Sequence, residues 1–439
     1  MKNPLNIAII GSGGREHAII KKLKKSPKTA RLTAIPGNAG IERDGVPCHF
    51  DIDPLDVSAV TKRCKSEKFD YVVVTPDNPL ALGMVDELNK AGIRSFGPER
   101  KAALIESSKI FAKDLMKEYN IPTADYAAFS NGSADALKYT RESFASGKEA
   151  VVVKADGLAL GKGVTVCFSL EEAEAAIRGA MDKKLFGKSG ESIIIEEYLT
   201  GTEVSVLSFC DGSTVVPMAS AMDHKRALNG DAGANTGGMG CIAPNPFYLP
   251  EIADLCKEKI FDPTIEAVKK EAAPFKGCLY FGLMLTEEGP KVIEYNCRFG
   301  DPETQAVLPL LESDLLSIMT ACTDGTLTAD MVRFMKGASS ACVVAASKGY
   351  PAKYETGFQI KGLEASAGEN LDVYCAGVEL EDGVLVTSGG RVLCVSAVAD
   401  SLEQAIRGAY GGLEKIEFEN KCFRTDIGEQ ALKRGISAA

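Results

Sequence analysis

Glu294, Asn296 and Arg298 occupy alternate positions in the run EYNCR and provide a carboxylate, an amide and a guanidinium. Alternate side chains of a strand leave the same face, so the three groups are predicted to lie side by side. A carboxylate and an amide oxygen suit Mg²⁺, and a guanidinium suits phosphoryl charge. From these residues alone, a strand face that is merely polar and exposed is an equally good interpretation.

A glycine-rich turn stands between the first apolar strand and the first helix, in GSGGREHA (11–18). Backbone N–H groups at the start of a helix favour a phosphate, and Gly13 and Gly14 would let it approach closely. The turn is an incomplete dinucleotide-binding fingerprint, because Glu16 stands where the third glycine would be. The residues favour phosphate binding and leave a tight structural turn open.

A second glycine-rich loop follows a β-branched strand in VVVKADGLALGKGV. Its glycines would let the loop close over an anion, and its amides together with Lys154 and Lys162 suit a polyphosphate. These glycines are Gly157, Gly161 and Gly163. The alternative is a flexible hairpin turn with solvated lysines. Lys109 in SSKIFAKD is a candidate second cation, although a lone helix lysine is more often plain surface.

The segment IIIEEYLTGTEVSV (193–206) is typical of a buried strand, a turn and a second strand. Backbone groups from Glu196 to Leu199 could hydrogen-bond an adenine edge, and Glu203 could reach ribose hydroxyls. Without context, ordinary charged hairpin positions for Glu196, Glu197 and Glu203 are favoured.

The segment MDHKRALNGDAGANTGGMG (222–240) contains too much glycine, asparagine and aspartate to be a helix. Loops of this composition are either functional or plain linkers. Basic residues Lys225 and Arg226 beside the amide-rich NTGGMG favour recognition of an anion. His224, a lone histidine, is interpreted as structural.

Strand and helix patterns alternate over residues 5–103, which predicts an open and mainly parallel sheet. Helical material ending at Pro122 follows, and then a compact α+β unit. Four short strand patterns, GFQIKG among them, and one helix pattern fill the last part of the chain. We predict domains at 1–103, 104–330 and 331–439, with a small subdomain at about 124–192 inside the second.

Composition and charge limit the function classes. The net charge of −10 over 439 residues makes a broad nucleic-acid surface unexpected, while a locally basic pocket stays possible. Thirteen scattered cysteines without a CxxC pair are expected to be reduced core thiols. No signal-peptide or membrane-span pattern is visible, so we expect a cytoplasmic protein without membrane association.

The motifs together resemble those of the ATP-grasp ligases, and among them the glycinamide ribonucleotide synthetase family of purine biosynthesis. The resemblance rests on GSGGREHA, PGNAG, KADGLALGKGV, DHKR with NTGGMG, and EYNCRFGDPETQ, whose order fits essentially the whole chain. It implies a multidomain α/β and α+β protein. Its parts would be an N-terminal Rossmann-like open sheet, an ATP-grasp domain with a small lid subdomain, and a small C-terminal α+β domain.

The resemblance also implies a reaction, in which ATP, glycine and 5-phosphoribosylamine give glycinamide ribonucleotide, ADP and phosphate through glycyl phosphate. Arg298 and Lys154 would be catalytic, and Glu294 and Asn296 would hold Mg²⁺ or Mn²⁺. The lid would close over ATP and protect the acyl phosphate from water. The implied nucleotide-binding residues are Lys109, Lys154, Gly157, Gly161, Lys162, Gly163, Glu196, Glu197, Leu199 and Glu203. The implied substrate-binding residues are Gly13, Gly14, Arg15, Glu16, Asn38, Asp77, Asp223, Lys225, Arg226, Asn235, Gly237, Gly238, Asp301, Pro302 and Glu303.

The chain departs from the family pattern at Asp77, where glutamate is usual, and at Ser12, where asparagine is common. Other classes stay open at this point: another ATP-grasp carboxylate–amine ligase or carboxylase, an NAD-binding oxidoreductase, or a non-catalytic nucleotide-binding module. Glu16 and the separate lysine–glycine apparatus speak against the oxidoreductase. The expected partners are the small-molecule substrates. The protein itself is expected to be a monomer or a small homo-oligomer.

Overall fold

The computed structural model describes residues 4–159 and 163–437. Gly161 and Lys162, two candidates from the second glycine loop, lie outside the described residues. No helix in the described part of the chain is long and apolar enough to cross a membrane.

The N-terminal sheet is parallel, as the alternating pattern predicts, with the strand order β2-β1-β3-β4. Alternate residues of its first strand enter different cores, because Ile7 and Ile9 pack on one side while Ala8 and Ile10 pack on the other. A strand buried on both faces reads as a continuous apolar run, typical of parallel sheets. The elements are β1 (Leu5–Gly11), α1 (Gly14–Lys24), β2 (Thr29–Pro36), α2 (Ala39–Arg43), α3 (Val57–Ser66), β3 (Tyr71–Val74), α4 (Asp77–Ala81), α5 (Met84–Lys90) and β4 (Arg94–Phe96).

Two helices lead into the predicted lid, which forms an antiparallel sheet of order β5-β8-β6-β7 with two helices and its own small core. The sheet runs beyond residue 192, since its strand β8 ends at Glu197. The elements are α6 (Leu104–Ser107), α7 (Lys109–Glu118), β5 (Tyr126–Phe129), α8 (Ala134–Ala145), β6 (Val151–Ala155), β7 (Val164–Cys167), α9 (Leu170–Met181) and β8 (Ile193–Glu197).

The central sheet is antiparallel, of order β10-β9-β15-β16, and shares its core with the N-terminal sheet. The 222–240 segment contains no α-helix, as predicted; two short strands, β12 and β13, form a hairpin around a 3-10 turn at Asn229–Asp231. The elements are β9 (Thr202–Asp211), β10 (Val215–Pro217), β11 (Met222–Asp223), β12 (Arg226–Leu228), β13 (Ala232–Asn235), β14 (Gly240–Ala243), α10 (Pro250–Cys256), α11 (Asp262–Glu271), β15 (Lys276–Thr286), β16 (Gly289–Asn296), α12 (Glu303–Leu310) and α13 (Leu315–Asp324).

The last sheet joins the C-terminal segment to the centre of the chain, because its order β11-β14-β17-β21-β18 begins with two strands from before residue 244. Two expectations for this segment are wrong. GFQIKG forms only isolated bridges, such as Gln359 with Val386, and a second helix ends the described chain. The elements are β17 (Ser339–Ser347), β18 (Leu371–Cys375), β19 (Val378–Glu381), β20 (Val384–Thr387), β21 (Arg391–Ala399), α14 (Leu402–Glu414), β22 (Lys421–Cys422) and α15 (Glu429–Ser437).

The cysteines are free thiols, and all except Cys48 and Cys422 are buried. This agrees with the prediction of reduced core thiols.

Candidate active site

A cavity of about 740 Å³ lies between the lid strands and the central sheet, and residues of the 222–237 segment also line it. Glu294, Asn296 and Arg298 all line this cavity. Glu294 and Asn296 stand on β16, and Arg298 follows two residues after the strand ends. The predicted row of three side chains therefore faces one cavity, with Arg298 Nη2 donating to Asn296 Oδ1 at 3.0 Å.

A β-bulge shapes this part of β16. Gly282 pairs with Glu294 and Leu283 with Val292, which leaves Ile293 as the extra residue. Bulges are common beside functional sites because they redirect the chain and release backbone groups from the sheet. Here the carbonyl oxygen of Ile293 accepts a hydrogen bond from Lys154 Nζ at 3.1 Å.

The charge of Glu294 is maintained by cations. Burial alone would raise the pKa of Glu294, but the charges of Lys225, Lys154, Lys109 and Arg298 outweigh burial and lower the pKa. Lys225 Nζ lies 3.9 Å from Glu294 Oε1. An ionised carboxylate in a cation-lined cavity can bind a metal ion that accompanies phosphate.

Arg298 also stands beside a buried carboxylate that sequence reasoning missed. Glu106 Oε1 lies 3.6 Å from Arg298 Nη2, while Glu106 Oε2 accepts the backbone N–H of Cys297 at 2.7 Å. Burial raises the pKa of Glu106, and Arg298 opposes that rise. The sequence does contain a feature that could have identified Glu106: it is a carboxylate within the apolar run ALIES, three residues before Lys109.

The two phosphate-binding candidates Lys109 and Lys154 line the same cavity. Lys109 Nζ donates to the carbonyl of Gly157 at 2.9 Å, which ties the start of α7 to the second glycine loop. Burial lowers the pKa of Lys109, and Lys154 adds to this, while Glu294 opposes it. Gly157 has φ +140°, and a Cβ there would lie 2.6 Å from Ser189 Oγ, so glycine is required. Gly163 also lines the cavity.

The lid's last strand brings Glu196, Glu197 and Leu199 to the cavity wall. Glu196 is 4% exposed, and its Oε2 lies 2.8 Å from Lys154 Nζ. Its Oε1 lies 3.4 Å from Lys113, which the sequence analysis missed. Lys113 follows Lys109 by four residues on α7, and residues at this spacing share a helix face.

Glu203 and Lys225 form an ion pair at the cavity wall, with 2.8 Å between Oε2 and Nζ. Arg226 also lines the cavity, and its guanidinium donates to the carbonyl of Gly233 at 2.8 Å. Asn235 and Gly237 also line this wall. His224 accepts the N–H of Gly428 at 3.0 Å, in agreement with a structural role.

Several carboxylates gather at the end of the cavity near the N-terminal sheet. Asp77, Asp223, Asp301 and Glu303 all line it. Burial, together with the charge of Glu303, raises the pKa of Asp223 well above its usual range, and Asp223 Oδ1 has no hydrogen-bond partner in the structure. A group with this environment is typical of a site that is completed by a ligand.

Arg391 from β21, which was not predicted, does not line the cavity itself but contacts two residues that line this end of it. Its Nη1 donates to the carbonyls of Gly237 at 2.6 Å and Asp301 at 2.8 Å. Gly238 and Pro302 do not line the cavity but pack closely against each other, since a Cβ on Gly238 would lie 2.3 Å from Pro302 Cδ.

The first glycine loop differs from expectation. Gly13 N donates to Glu16 Oε2 at 2.6 Å, and Arg15 N donates to Asp301 Oδ2 at 3.4 Å. These two N–H groups, which the sequence analysis offers to a phosphate, are therefore bonded to carboxylates in this structure. None of Gly13, Gly14, Arg15 and Glu16 lines the main cavity, although Asp301 connects the loop to it.

Asn38 lies apart from the other candidates. Its Oδ1 accepts Ile41 N at 3.0 Å as the cap of α2, and its Nδ2 donates to the carbonyls of Ser12 and Cys375. Asn38 and Ser12 line a second cavity of about 560 Å³ between the N-terminal and C-terminal parts.

The cavity has buried lysines on one side and, on the other, an antiparallel sheet that carries a carboxylate–amide row. This is the arrangement of an ATP-grasp domain. The family model described as phosphoribosylglycinamide synthetase, ATP-grasp (A) domain, matches residues 107–304. The solved biotin carboxylase from Campylobacter jejuni, in complex with an ATP analogue, has a TM-score of 0.71 at 15% identity over 95% of this chain and 92% of that chain. That level of similarity concerns the fold alone.

The models for the N domain and C domain of phosphoribosylglycinamide synthetase match residues 5–106 and 340–430. The chain belongs to the phosphoribosylglycinamide synthetase family. A phosphoribosylamine–glycine ligase from Caldanaerobacter subterraneus is 44% identical over 423 residues, which cover 96% of this chain and 99% of that protein. The crystal structure of the corresponding ligase from Thermotoga maritima has a TM-score of 0.81 at 33% identity, covering 96% of this chain and 100% of that one.

A longer relative matches equally well. The trifunctional purine biosynthetic protein adenosine-3 of Bos taurus is 45% identical over 426 residues. The match covers 97% of this chain but 42% of that protein, so this chain spans about two fifths of the trifunctional relative.

Proposed function

We propose that this chain joins glycine to 5-phosphoribosylamine in a reaction driven by ATP, and forms glycinamide ribonucleotide, ADP and phosphate. Family membership over nearly the whole chain supports this activity. One observation carries the proposal at the level of the site. A single cavity has Lys109 and Lys154 in its wall together with the Glu294 row, and it extends to Asp301 beside the N-terminal glycine loop.

The reaction needs positive charge because two anions must meet. An oxygen of the glycine carboxylate attacks the γ-phosphorus of ATP, and the bond from that phosphorus to ADP breaks. Arg298 is assigned to the charge on the transferred group, and Lys109 and Lys154 to the ATP phosphates. The amine nitrogen of phosphoribosylamine then attacks the acyl carbon of glycyl phosphate. Phosphate leaves and can take up the proton that the amine releases.

The lid's last strand supplies the seat for the base of ATP in this proposal. Backbone groups between Glu197 and Leu199 border the cavity and follow the last ladder residue of β8. Glu203 is half-exposed at the same wall and is assigned to the ribose hydroxyls.

The residues of the Glu294–Asn296–Arg298 row are suited to binding a hard divalent ion. Glu294 and Asn296 offer two oxygen donors, and no group of three His, Cys, Asp or Glu side chains with metal-site geometry occurs among residues 4–159 and 163–433. Mg²⁺ in nucleotide sites needs only one or two protein carboxylates, because water and phosphate oxygens complete its shell. When bound, Mg²⁺ would neutralise part of the phosphate charge. Mn²⁺ takes similar oxygen ligands.

The sugar end of the site is assigned by proximity. Asp77 and Asp301 line the cavity, and Asp301 contacts both the guanidinium of Arg391 and the backbone N–H of Arg15. We assign these residues, with Asp223 and Glu303, to the amine substrate and to glycine. Gly13 and Gly14 would serve this end only if the loop exchanged its present carboxylate contacts for a phosphate.

ADP release tests the proposal. The purified chain is incubated with ATP, Mg²⁺, glycine and phosphoribosylamine generated in situ, and each component is omitted in turn. ADP should form only when both glycine and the amine are present. Release that continues when bicarbonate replaces glycine, or that ignores the amine, would overturn the assignment in favour of a different ATP-grasp reaction.

A further inference from the structure

A buried cluster of three charges lies at the base of the lid. Glu196 stands between two lysines, with Oε2 2.8 Å from Lys154 Nζ and Oε1 3.4 Å from Lys113 Nζ. The three side chains are 2–4% exposed. They come from three elements, since Lys113 is on α7, Lys154 on β6 and Glu196 on β8.

Lys113 has contacts that Lys154 lacks. Its Nζ donates to Thr123 Oγ1 at 2.7 Å and to the carbonyl of Ala124 at 3.1 Å. Thr123 Oγ1 in turn donates to the carbonyl of Val292 on β16 at 2.7 Å. Residues 122–124 are where the chain enters the lid, and Glu196 is where it leaves. Lys113 is therefore anchored at both connections between the lid and the rest of the protein.

Lys154 divides its ammonium group between Glu196 and a backbone carbonyl, so a shift toward the ATP phosphates would weaken its 2.8 Å contact with Glu196. In this structure its ammonium group contacts Glu196 and the carbonyl of Ile293. A move of Lys154 onto a phosphate would leave Glu196 without its closest cation. A buried carboxylate that loses its partner is strongly disfavoured, so the move requires another cation nearby.

We propose that Lys113 is a positioning residue, the counter-ion that keeps Glu196 paired when Lys154 turns to the ATP phosphates. The proposal rests on the proposed function, because that function assigns Lys154 to ATP. Lys113 does not touch the nucleotide in this role. It acts by lowering the energy needed to separate Lys154 from Glu196.

The variant Lys113→Met removes the counter-ion and keeps a side chain of similar length. Lys154 should then stay with Glu196, and the KM for ATP should rise about tenfold while the KM for glycine stays near its wild-type value. Lys113→Arg restores the charge and should recover most of the ATP affinity. Lys117→Met is the matched control, because Lys117 is exposed one turn further along α7, and it should behave like the wild type.

A double-mutant cycle separates positioning from a general effect on folding. Glu196→Gln removes the buried negative charge, so a counter-ion is no longer needed. Lys113→Met should therefore weaken ATP binding much less in the Glu196→Gln background than in the wild type. Equal fold-changes in both backgrounds, or an unchanged KM for ATP in folded Lys113→Met, would overturn the proposal.

A direct measurement of ATP-analogue binding lets the counter-ion proposal and the proposed function be tested separately. The dissociation constant of a non-hydrolysable ATP analogue with Mg²⁺ is measured for the wild type, both single variants and the double variant, with thermal unfolding as the check on folding. If Lys113→Met does not fold, Lys113→Arg decides: because arginine keeps the charge, an affinity close to that of the wild type and of Lys117→Met is expected, and a tenfold or larger loss of ATP affinity in folded Lys113→Arg would contradict the counter-ion role. A wild type that binds the analogue but shows no glycine-dependent ADP release would refute the proposed function and leave this test intact.

Discussion

Replacing Arg298 by alanine should slow the chemical step far more than it weakens ATP binding. The guanidinium lines the cavity beside Glu294 and Asn296 and is assigned to the charge of the transferred phosphoryl group. Loss of one group that stabilises transition-state charge costs about 2.7–4 kcal/mol, or about 10²–10³ in kcat. ATP should still bind, because Lys109, Lys154 and the last lid strand remain.

The same substitution should also reduce stability, through Glu106. This carboxylate is 8% exposed and keeps only the N–H of Cys297 when Arg298 is removed. Breaking a buried pair on one side costs about 3–5 kcal/mol, and the 3.6 Å separation of Arg298 from Glu106 places this pair at the lower end. Arg298→Ala should thus lower the free energy of unfolding by about 3 kcal/mol.

A companion variant separates the two effects. Glu106→Gln removes the buried charge, so Arg298→Ala/Glu106→Gln should regain most of the free energy of unfolding without regaining kcat. Arg298→Lys keeps a charge but loses the planar fork that bonds Asn296 and the carbonyl of Phe299, and it should recover only part of kcat.

The assay is kcat and KM for each substrate from ADP release, together with equilibrium binding of an ATP analogue and urea unfolding. Three results would refute the reasoning. They are an unchanged kcat in Arg298→Ala, a loss of ATP affinity as large as the loss of kcat, or recovery of kcat by the added Glu106→Gln.

Three further predictions concern the metal, the sugar end and pH. Glu294→Gln should raise the Mg²⁺ concentration needed for half-maximal activity by roughly tenfold or more; a metal titration identical to that of the wild type would count against the metal assignment. Asp77→Glu should change the KM for phosphoribosylamine and leave the KM for ATP in place, and an amine KM that does not move would mean that Asp77 does not contact this substrate. Burial lowers the pKa of Lys113 to about 8, although Glu196 and Asp125 oppose this and Lys154 adds to it. Because an amine loses its charge as pH rises through its pKa, the KM for ATP should increase between pH 7 and pH 9 in the wild type and much less in Lys113→Arg, and superimposable profiles would show that Lys113 is not the group responsible.

The parts of the site that the sequence predicted have local patterns. Alternation along EYNCR places three side chains on one face, and this survives the bulge because the extra residue, Ile293, precedes the row. The strand–helix alternation of the first hundred residues likewise predicts the parallel sheet. A periodicity is a property of neighbouring residues, so it can be recognised without the fold.

The parts that escaped prediction depend on residues that are distant in the chain. Arg391, from the last sheet, donates to the carbonyl of Gly237 in the cavity wall, and Asp301 accepts the backbone N–H of Arg15 across 286 positions. Neither contact has a local pattern. Lys113 and Glu106 are a different case, because their spacing from Lys109 was visible, yet only burial distinguishes them from surface charges.

The predicted domain limits stay predictions. The family models divide the chain near residue 106, whereas the sheet that contains β17 also takes strands from residues 222–243. A boundary at residue 331 would therefore not separate two independent sheets, because strands from both sides of it belong to the same sheet. The C-terminal part therefore contributes both a side chain and a shared sheet to the site.

The route through glycyl phosphate can be tested by following oxygen. Glycine labelled with ¹⁸O in its carboxylate is converted in the presence of ATP and phosphoribosylamine, and the inorganic phosphate is analysed by mass spectrometry. If the carboxylate attacks the γ-phosphorus, one labelled oxygen should appear in each phosphate released, and the other should remain in the amide of the product. Unlabelled phosphate, with product forming at the normal rate, would contradict the acyl phosphate mechanism and the role given to the Glu294–Asn296–Arg298 row.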